Sequence, residues 1–175
     1  MSWRVITYRL PAEPSRHRVA VWRELRRLGA VALQQGTWAV PDGEPFDTRF
    51  AQVVATIRAA GGEPIVLAVA DDETSAAQLE AAFTEQREAE WAEFLADCGK
   101  YDNELAGEIA KGKLTLAELD EEEQSLDRLR RWYRTIRVRD VFGAPSASLA
   151  ERRLKECGEA LEAFAEQVYQ ARDRP

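Results

Sequence analysis

The sequence predicts an α+β fold: an α/β unit over residues 1–72, then a helical domain over residues 73–175 with about three long antiparallel helices. Short β-branched and aromatic runs alternate with helical stripes up to Ala70, and strand signals stop after Asp72. Charged residues make up 31 % of the chain, yet apolar residues recur throughout, a pattern of helix surface rather than disorder.

The first strand reads from Trp3 to Leu10, rich in β-branched and aromatic residues and stopped by Pro11. Pro14-Ser15 offers an N-cap, and Val21, Trp22, Leu25 and Leu28 fall on one face at 3.6-residue periodicity. Gly29 supplies the stop, so residues 16–28 read as a helix. Val31 to Val40 returns to β character and is broken by Gln35-Gly36, a turn or bulge between two short strands. Pro41 to Pro45 is a loop. From Asp47 to Ala60 a stripe of Phe50, Val53, Val54 and Ile57 predicts a second helix, ended by Gly61-Gly62. Pro64 to Ala70 is the last strand, and its apolar run from Ile65 fits a buried one. The order β-α-β-β-α-β points to a ferredoxin-like sandwich, two helices on one face of an antiparallel sheet.

Beyond Asp72, Ser75 with Gln78 reads as a capping box opening a helix through Phe83, Trp91, Phe94 and Leu95. Thr115 with Glu118 repeats the device. Leu119, Leu126, Leu129, Tyr133 and Ile136 then carry a seam to the break at Gly143-Ala144-Pro145. Ser148 with Glu151 opens a third helix, where Leu154, Cys157, Leu161, Phe164 and Val168 alternate by three and four. Such spacing means that the helices pack on each other or on a partner chain, and a homodimer is the expected assembly.

No apolar run approaches the ~18–20 residues that cross a bilayer, and the start lacks the plan of a secretion signal. Cys98 and Cys157 are isolated, implying neither a disulfide framework nor a metal site, so no cofactor is expected and a cytoplasmic location is. The net charge of −7 hides an uneven layout. Residues 1–70 hold nine Arg against six acids, residues 71–127 four basic groups against eighteen acids, and residues 128–140 six Arg against one Asp. Two basic islands therefore flank an acidic middle.

The run Leu10-Pro11-Ala12-Glu13-Pro14-Ser15-Arg16-His17-Arg18-Val19 resembles the N-terminal region of the ChrB chromate-resistance regulators. So do Val21-Trp22-Arg23, Leu28-Gly29-Ala30 and Gly36-Thr37-Trp38-Ala39-Val40-Pro41. In the helical half, Phe83, Arg87, Glu90, Trp91 and the run Arg139-Asp140-Val141-Phe142-Gly143-Ala144-Pro145 are similar to the same family. The first seventy residues resemble, more distantly, the Cas2-like module of PaaX-type repressors. The resemblance implies a chromate-responsive regulator of chromate-efflux genes. Full-length ChrB relatives carry a further C-terminal domain, which leaves two places for sensing, these residues or that domain.

Two arginine sets are the candidate contacts to promoter DNA or to chromate or another oxyanion. In the first helix Arg16, Arg23 and Arg27 stack on the face opposite Val21, Leu25 and Leu28, with Arg26 at its edge and Arg18 nearer the apolar side. Guanidinium forks bind phosphate and other tetrahedral oxyanions bidentately. The plainer reading is a solvated face with acidic partners. The second set, led by Arg131 and Arg134, is interleaved with Trp132 and Tyr133, a pattern that grips nucleic-acid backbones. Against that stand the ordinary stabilisation of cations near a helix C-terminus and the acids Glu121-Glu122-Glu123 just upstream.

Catalysis has little support. His17 is the only histidine and sits among arginines, so neither a His-based triad nor a zinc site is expected. Resemblance to Cas2-like nucleases would place a metal-binding Asp at the end of the first strand, where Arg9 stands instead. Asp71-Asp72-Glu73 has an ordinary explanation as acids before a helix start. Trp22 and Trp38 read as core residues, and Cys157, on the apolar seam, as an inert buried thiol. The expected function is a non-enzymatic regulator or its accessory module. The alternative is a dimerisation and docking module with no direct DNA contact.

Overall fold

The computed structural model describes residues 2–69 and 73–173; Asp71 and Asp72 lie outside the described residues. Its elements run β1 (Trp3–Thr7), α1 (Ser15–Leu28), β2 (Val31–Gln34), β3 (Thr37–Pro41), α2 (Asp47–Ala59), β4 (Ile65–Ala68), α3 (Glu73–Ala110), α4 (Leu116–Arg139) and α5 (Ala147–Arg172). This is the α+β order expected from the sequence. The chain forms two compact units, Met1–Gln86 and Arg87–Pro175.

In the first unit the sheet order is β2-β3-β1-β4, antiparallel throughout, which is the ferredoxin-like arrangement. Register pairs Trp3 with Pro41 and Ile6 with Trp38 across β1 and β3, and Ile6 with Val66 across β1 and β4. Because side chains alternate along a strand, Arg4, Ile6, Trp38 and Val40 share one face. The Arg4 guanidinium lies 4.2 Å from the centre of the Phe50 ring, which marks this face as the one that meets α2. Val21, Leu25 and Leu28 of α1 and Phe50, Val53 and Ile57 of α2 are buried, and the two helices pack together.

Trp3 points to the opposite face and meets Phe83 of α3 edge-on at 5.7 Å, and Phe83 in turn meets Phe46 at 5.9 Å. The Gln86 amide donates to the Ala30 carbonyl at 3.2 Å. The first turns of α3, carrying buried Leu79 and Phe83, therefore complete the core of the first unit.

Two expectations about burial need correction. β4 is not a buried strand: Ile65, Val66 and Leu67 are 58 %, 42 % and 53 % exposed. It lies at the sheet edge and pairs with β1 alone, so its apolar character does not bring burial. Trp22 is not a core residue either; it is 51 % exposed at the margin of the α1 stripe, with the Arg26 guanidinium 5.9 Å from its ring centre. Trp38 is buried as expected.

The second unit packs Trp91, Phe94, Cys98, Leu126, Ile136, Cys157, Phe164 and Val168 into one core. The seams read from three- and four-residue spacing are the ones that face inward. Thr115 caps α4, its hydroxyl accepting from the Glu118 amide at 3.3 Å. The other two capping boxes are displaced. α3 already includes Glu73, so Ser75 lies inside the helix. α5 begins at Ala147 after Ser146, so Ser148 also lies inside. There the carboxylate of Glu88 replaces the box, accepting from the Ser146 amide at 2.8 Å and its hydroxyl at 2.7 Å.

The turn joining β2 and β3 rests on Gly36, at φ 74°, where an added Cβ would stand 2.7 Å from the Tyr8 carbonyl oxygen. Left-handed backbone alone costs a non-glycine residue about 1–2 kcal/mol. Gly36→Ala is expected to exceed that cost. Gly43→Ala, also at positive φ but with nothing within 4 Å of the new Cβ, should stay within it. Urea midpoints of the two variants measure the difference, and equal midpoints would show that the Tyr8 contact yields freely.

Candidate functional site

The first-helix arginines divide into two groups by what they touch. Arg16, Arg18, Arg23, Arg26 and Arg27 are all exposed. Arg27 is held by Glu24 of its own helix at 2.7 Å, and Arg26 lies beside Trp22. Among the described residues Arg16, Arg18 and Arg23 have no ion-pair partner. At 100° per residue Arg16 and Arg23 lie within about 20° of each other on the outward face. Arg18 lies on the other side of the helix, toward the end of β1.

There it lines a cleft of about 470 Å³ with Tyr8, Arg9, Leu10, Gln35 and Gly36. β1 delivers Tyr8 and Arg9, the Gly36 turn closes one wall, and the Tyr8 amide donates to the Gly36 carbonyl at 2.9 Å. Two arginines line this cleft and no acidic residue does. Burial raises the pKa of Tyr8, while a hydrogen bond with Trp38 partly offsets the rise. The indole N–H only donates, so the phenol oxygen is the acceptor and its own O–H stays available to donate. The cleft thus presents donors to an anion. Arg9 stands two residues past the end of β1, near the place where the resemblance to Cas2-like nucleases called for an acid.

The second arginine set is differently placed. Arg130 pairs with Asp127 at 3.2 Å, Arg128 donates to the Ser125 hydroxyl at 2.7 Å, and Arg139 pairs with Glu90 at 2.9 Å. Arg131 and Arg134 are exposed and, among the described residues, without an ion-pair partner. The interleaved aromatics do not stand beside them as a base platform. Trp132 meets Phe94 at 5.6 Å, and Tyr133 meets Trp91 at 5.3 Å, so both rings turn into the helical core. The aromatic half of the nucleic-acid pattern was a helical stripe.

The sequence reading did not assemble one polar cluster of the second unit. Arg87, fully buried, donates to one Glu90 oxygen at 3.2 Å, and Arg139 donates to the other at 2.9 Å. One helical turn beyond Arg87, Trp91 donates its indole N–H to buried Asp140 at 3.0 Å, and Asp140 also accepts the Ala144 amide at 2.9 Å. Its signal lay in the two motif runs around Arg87 and Asp140, whose separation in sequence conceals their contact. Buried charges of this kind need their partners, and removing one partner strands the others. Among the described residues no group of three or more His, Cys, Asp or Glu is placed to hold a metal ion.

The acidic stretch also contains a buried carboxyl. Glu122 is 7 % exposed and its pKa is raised, first by burial and then by Glu104, Glu108, Glu118 and Glu121.

The comparisons agree on one family. The family described as "Protein ChrB, N-terminal" matches residues 18–175. A curated relative, "Protein ChrB" of Cupriavidus metallidurans, is 25 % identical over 164 residues, covering 92 % of this chain and 47 % of its own length. The chain therefore spans about half of that relative. No helix among the described residues is long and apolar enough to cross a membrane.

Asp140→Ala leaves the Trp91 and Ala144 N–H groups buried without their acceptor, at about 1–3 kcal/mol each; denaturation followed by tryptophan fluorescence should show a loss of that order. A loss below about 1 kcal/mol would mean that water replaces the carboxylate. For Glu122 the folded pKa lies above the unfolded one, so the stability linked to its proton is present at low pH and declines as pH rises through the folded value. Glu122→Gln should therefore raise the melting temperature at pH 7 and leave it nearly unchanged near pH 4. A lower melting temperature at pH 7 would contradict that sign.

Proposed function

Because this chain belongs to the ChrB family, in that family's N-terminal region, we propose that it is the regulatory part of a chromate-responsive transcriptional regulator. In this reading the outward face of α1 touches promoter DNA through Arg16 and Arg23, and the Arg9–Arg18 cleft takes chromate or another tetrahedral oxyanion. The observation that carries it is the pair of exposures on α1: arginines on opposite sides of one helix, without ion-pair partners among the described residues. One side faces solvent and the other lines a cleft with no acid in its walls. An overall acidic chain, with pI near 5.0, is compatible with this, since the local field at a patch governs a bound phosphate more than the net charge does.

A second reading is favoured by β4, whose residues Ile65–Ala68 carry no charge and stand exposed at a sheet edge. Such an edge is a template for another strand. A second copy of this chain is the occupant that fits: antiparallel pairing of β4 with itself about a two-fold axis is self-complementary and meets no like charge.

Binding to the promoter beside its own gene, across a salt series and with or without chromate, tests both readings. Arg16→Ala with Arg23→Ala should weaken DNA binding in a folded protein and reduce the log–log salt slope by about 0.9 for each lost phosphate contact. Arg9→Ala with Arg18→Ala should keep DNA binding and lose the chromate effect. An unchanged slope in the first variant would remove α1 as the DNA contact. If the wild type binds no promoter DNA and Leu67→Lys turns a dimer into a monomer, the docking reading replaces the regulator.

A further inference from the structure

The only two cysteines of the chain come from helices α3 and α5, 59 residues apart, and meet inside the second unit. Both are free and fully buried. The Cys157 sulfur lies 4.0 Å from the Cys98 carbonyl oxygen and 3.7 Å from a carboxylate oxygen of Asp102. Packing alone asks only for small apolar side chains here. It does not ask for two cysteines brought together beside an ion pair.

That ion pair is Asp102 with Arg153, whose side chains are 35 % and 29 % exposed. Cys157 is therefore one contact from solvent, behind a charged pair rather than an apolar wall. The two sulfurs are also unequal. Cys157 beside it is the largest influence lowering the Cys98 pKa, with Arg153 adding to it against burial; the Cys157 pKa is raised, by Cys98 first and then by burial. Each cysteine is followed by a glycine within its helix, Gly99 and Gly158. A Cβ at Gly99 would meet nothing within 4 Å, and one at Gly158 only the Arg130 guanidinium at 3.9 Å. Crowding therefore demands neither glycine, and a glycine inside a helix weakens it relative to alanine. Local opening next to the thiols is correspondingly easier.

We infer that Cys98 and Cys157 are a redox-convertible dithiol, which a peroxide closes into a disulfide joining α3 to α5. In the first step the Cys98 thiolate attacks one peroxide oxygen and the O–O bond breaks. Cys98 becomes a sulfenic acid, and the departing oxygen takes a proton to leave as water. The Cys157 sulfur then attacks the Cys98 sulfur, the S–O bond breaks, and the hydroxyl leaves as a second water with the Cys157 proton. Two thiols lose two electrons, hydrogen peroxide gains them, and two waters form. This inference does not depend on the proposed regulatory function.

The test treats the folded, full chain with graded hydrogen peroxide, followed by non-reducing peptide mapping and intact mass. The expected result is one species lighter by two hydrogens, with a single linked peptide pair holding both cysteines, a higher melting temperature, and full reversal by a dithiol reductant. In Cys157→Ser the reaction should stop at a Cys98 sulfenic acid that dimedone traps, while Cys98→Ser should leave Cys157 unmodified. Alkylation of the unmutated protein gives a readout free of folding defects: Cys98 should react faster than Cys157. Both thiols staying free at peroxide concentrations that oxidise glutathione in the same tube would overturn the inference. So would disulfides formed only between chains, or faster alkylation of Cys157.

Discussion

The buried carboxylate of Asp140 is the constraint on which the second unit depends. It lies just past the end of α4, where the helix gives up its own hydrogen bonds, and it accepts one N–H from α3 and one from the turn that leads into α5. Apolar packing is non-directional, so the shared core of Trp91, Phe94, Ile136 and Phe164 would tolerate small slides of one helix along another. A charge buried with two named donors does not, because each displacement would strand a polar group away from water. The Arg87–Glu90–Arg139 bridge works one turn away in the same manner, and Glu88 fixes the start of α5 from α3. These residues hold the three helices of the unit to one another.

With that cluster given a structural role, the candidate contacts to ligands fall to arginines that the fold leaves unsatisfied. The sorting is electrostatic. An arginine that already faces a carboxylate, as Arg27 faces Glu24, has less to gain from a phosphate than one that faces water. A bound anion must also displace that carboxylate. Among the described residues, and of the arginines named from their spacing, Arg16, Arg23, Arg131 and Arg134 meet this criterion on exposed helix faces, and Arg18, with Arg9, meets it in a cleft. Only the cleft adds a phenol, Tyr8, whose pKa burial raises.

Element order was legible in the sequence because periods of two and of 3.6 leave distinct stripes, and because Gly29, Gly36 and Gly61 punctuate them. Burial of β4 was not legible, since the apolar run Ile65–Ala68 looks the same at the edge of a sheet as at its centre; only the strand order decides. Helix starts were legible where the cap is local, as at Thr115, and not where a carboxylate from another helix supplies it, as Glu88 does at Ser146. The arginines of α1 could be named from spacing. Their division between an outward face and a cleft needed the Gly36 turn, which brings Gln35 and Gly36 to Tyr8. The contact between Cys98 and Cys157 could not be read at all, because no local pattern links positions so far apart in the chain.

On the proposed function, α1 and the adjoining Arg9, rather than α4, would carry the ligand contacts. Proton–nitrogen spectra of the arginine side-chain Nε–H groups during titration with promoter DNA, and separately with chromate, test it most directly. Arg16 and Arg23 are expected to shift on adding DNA and Arg9 and Arg18 on adding chromate, while Arg131 and Arg134 hold still. Shifts confined to Arg131 and Arg134, or no shift on α1 with saturating DNA, would contradict it.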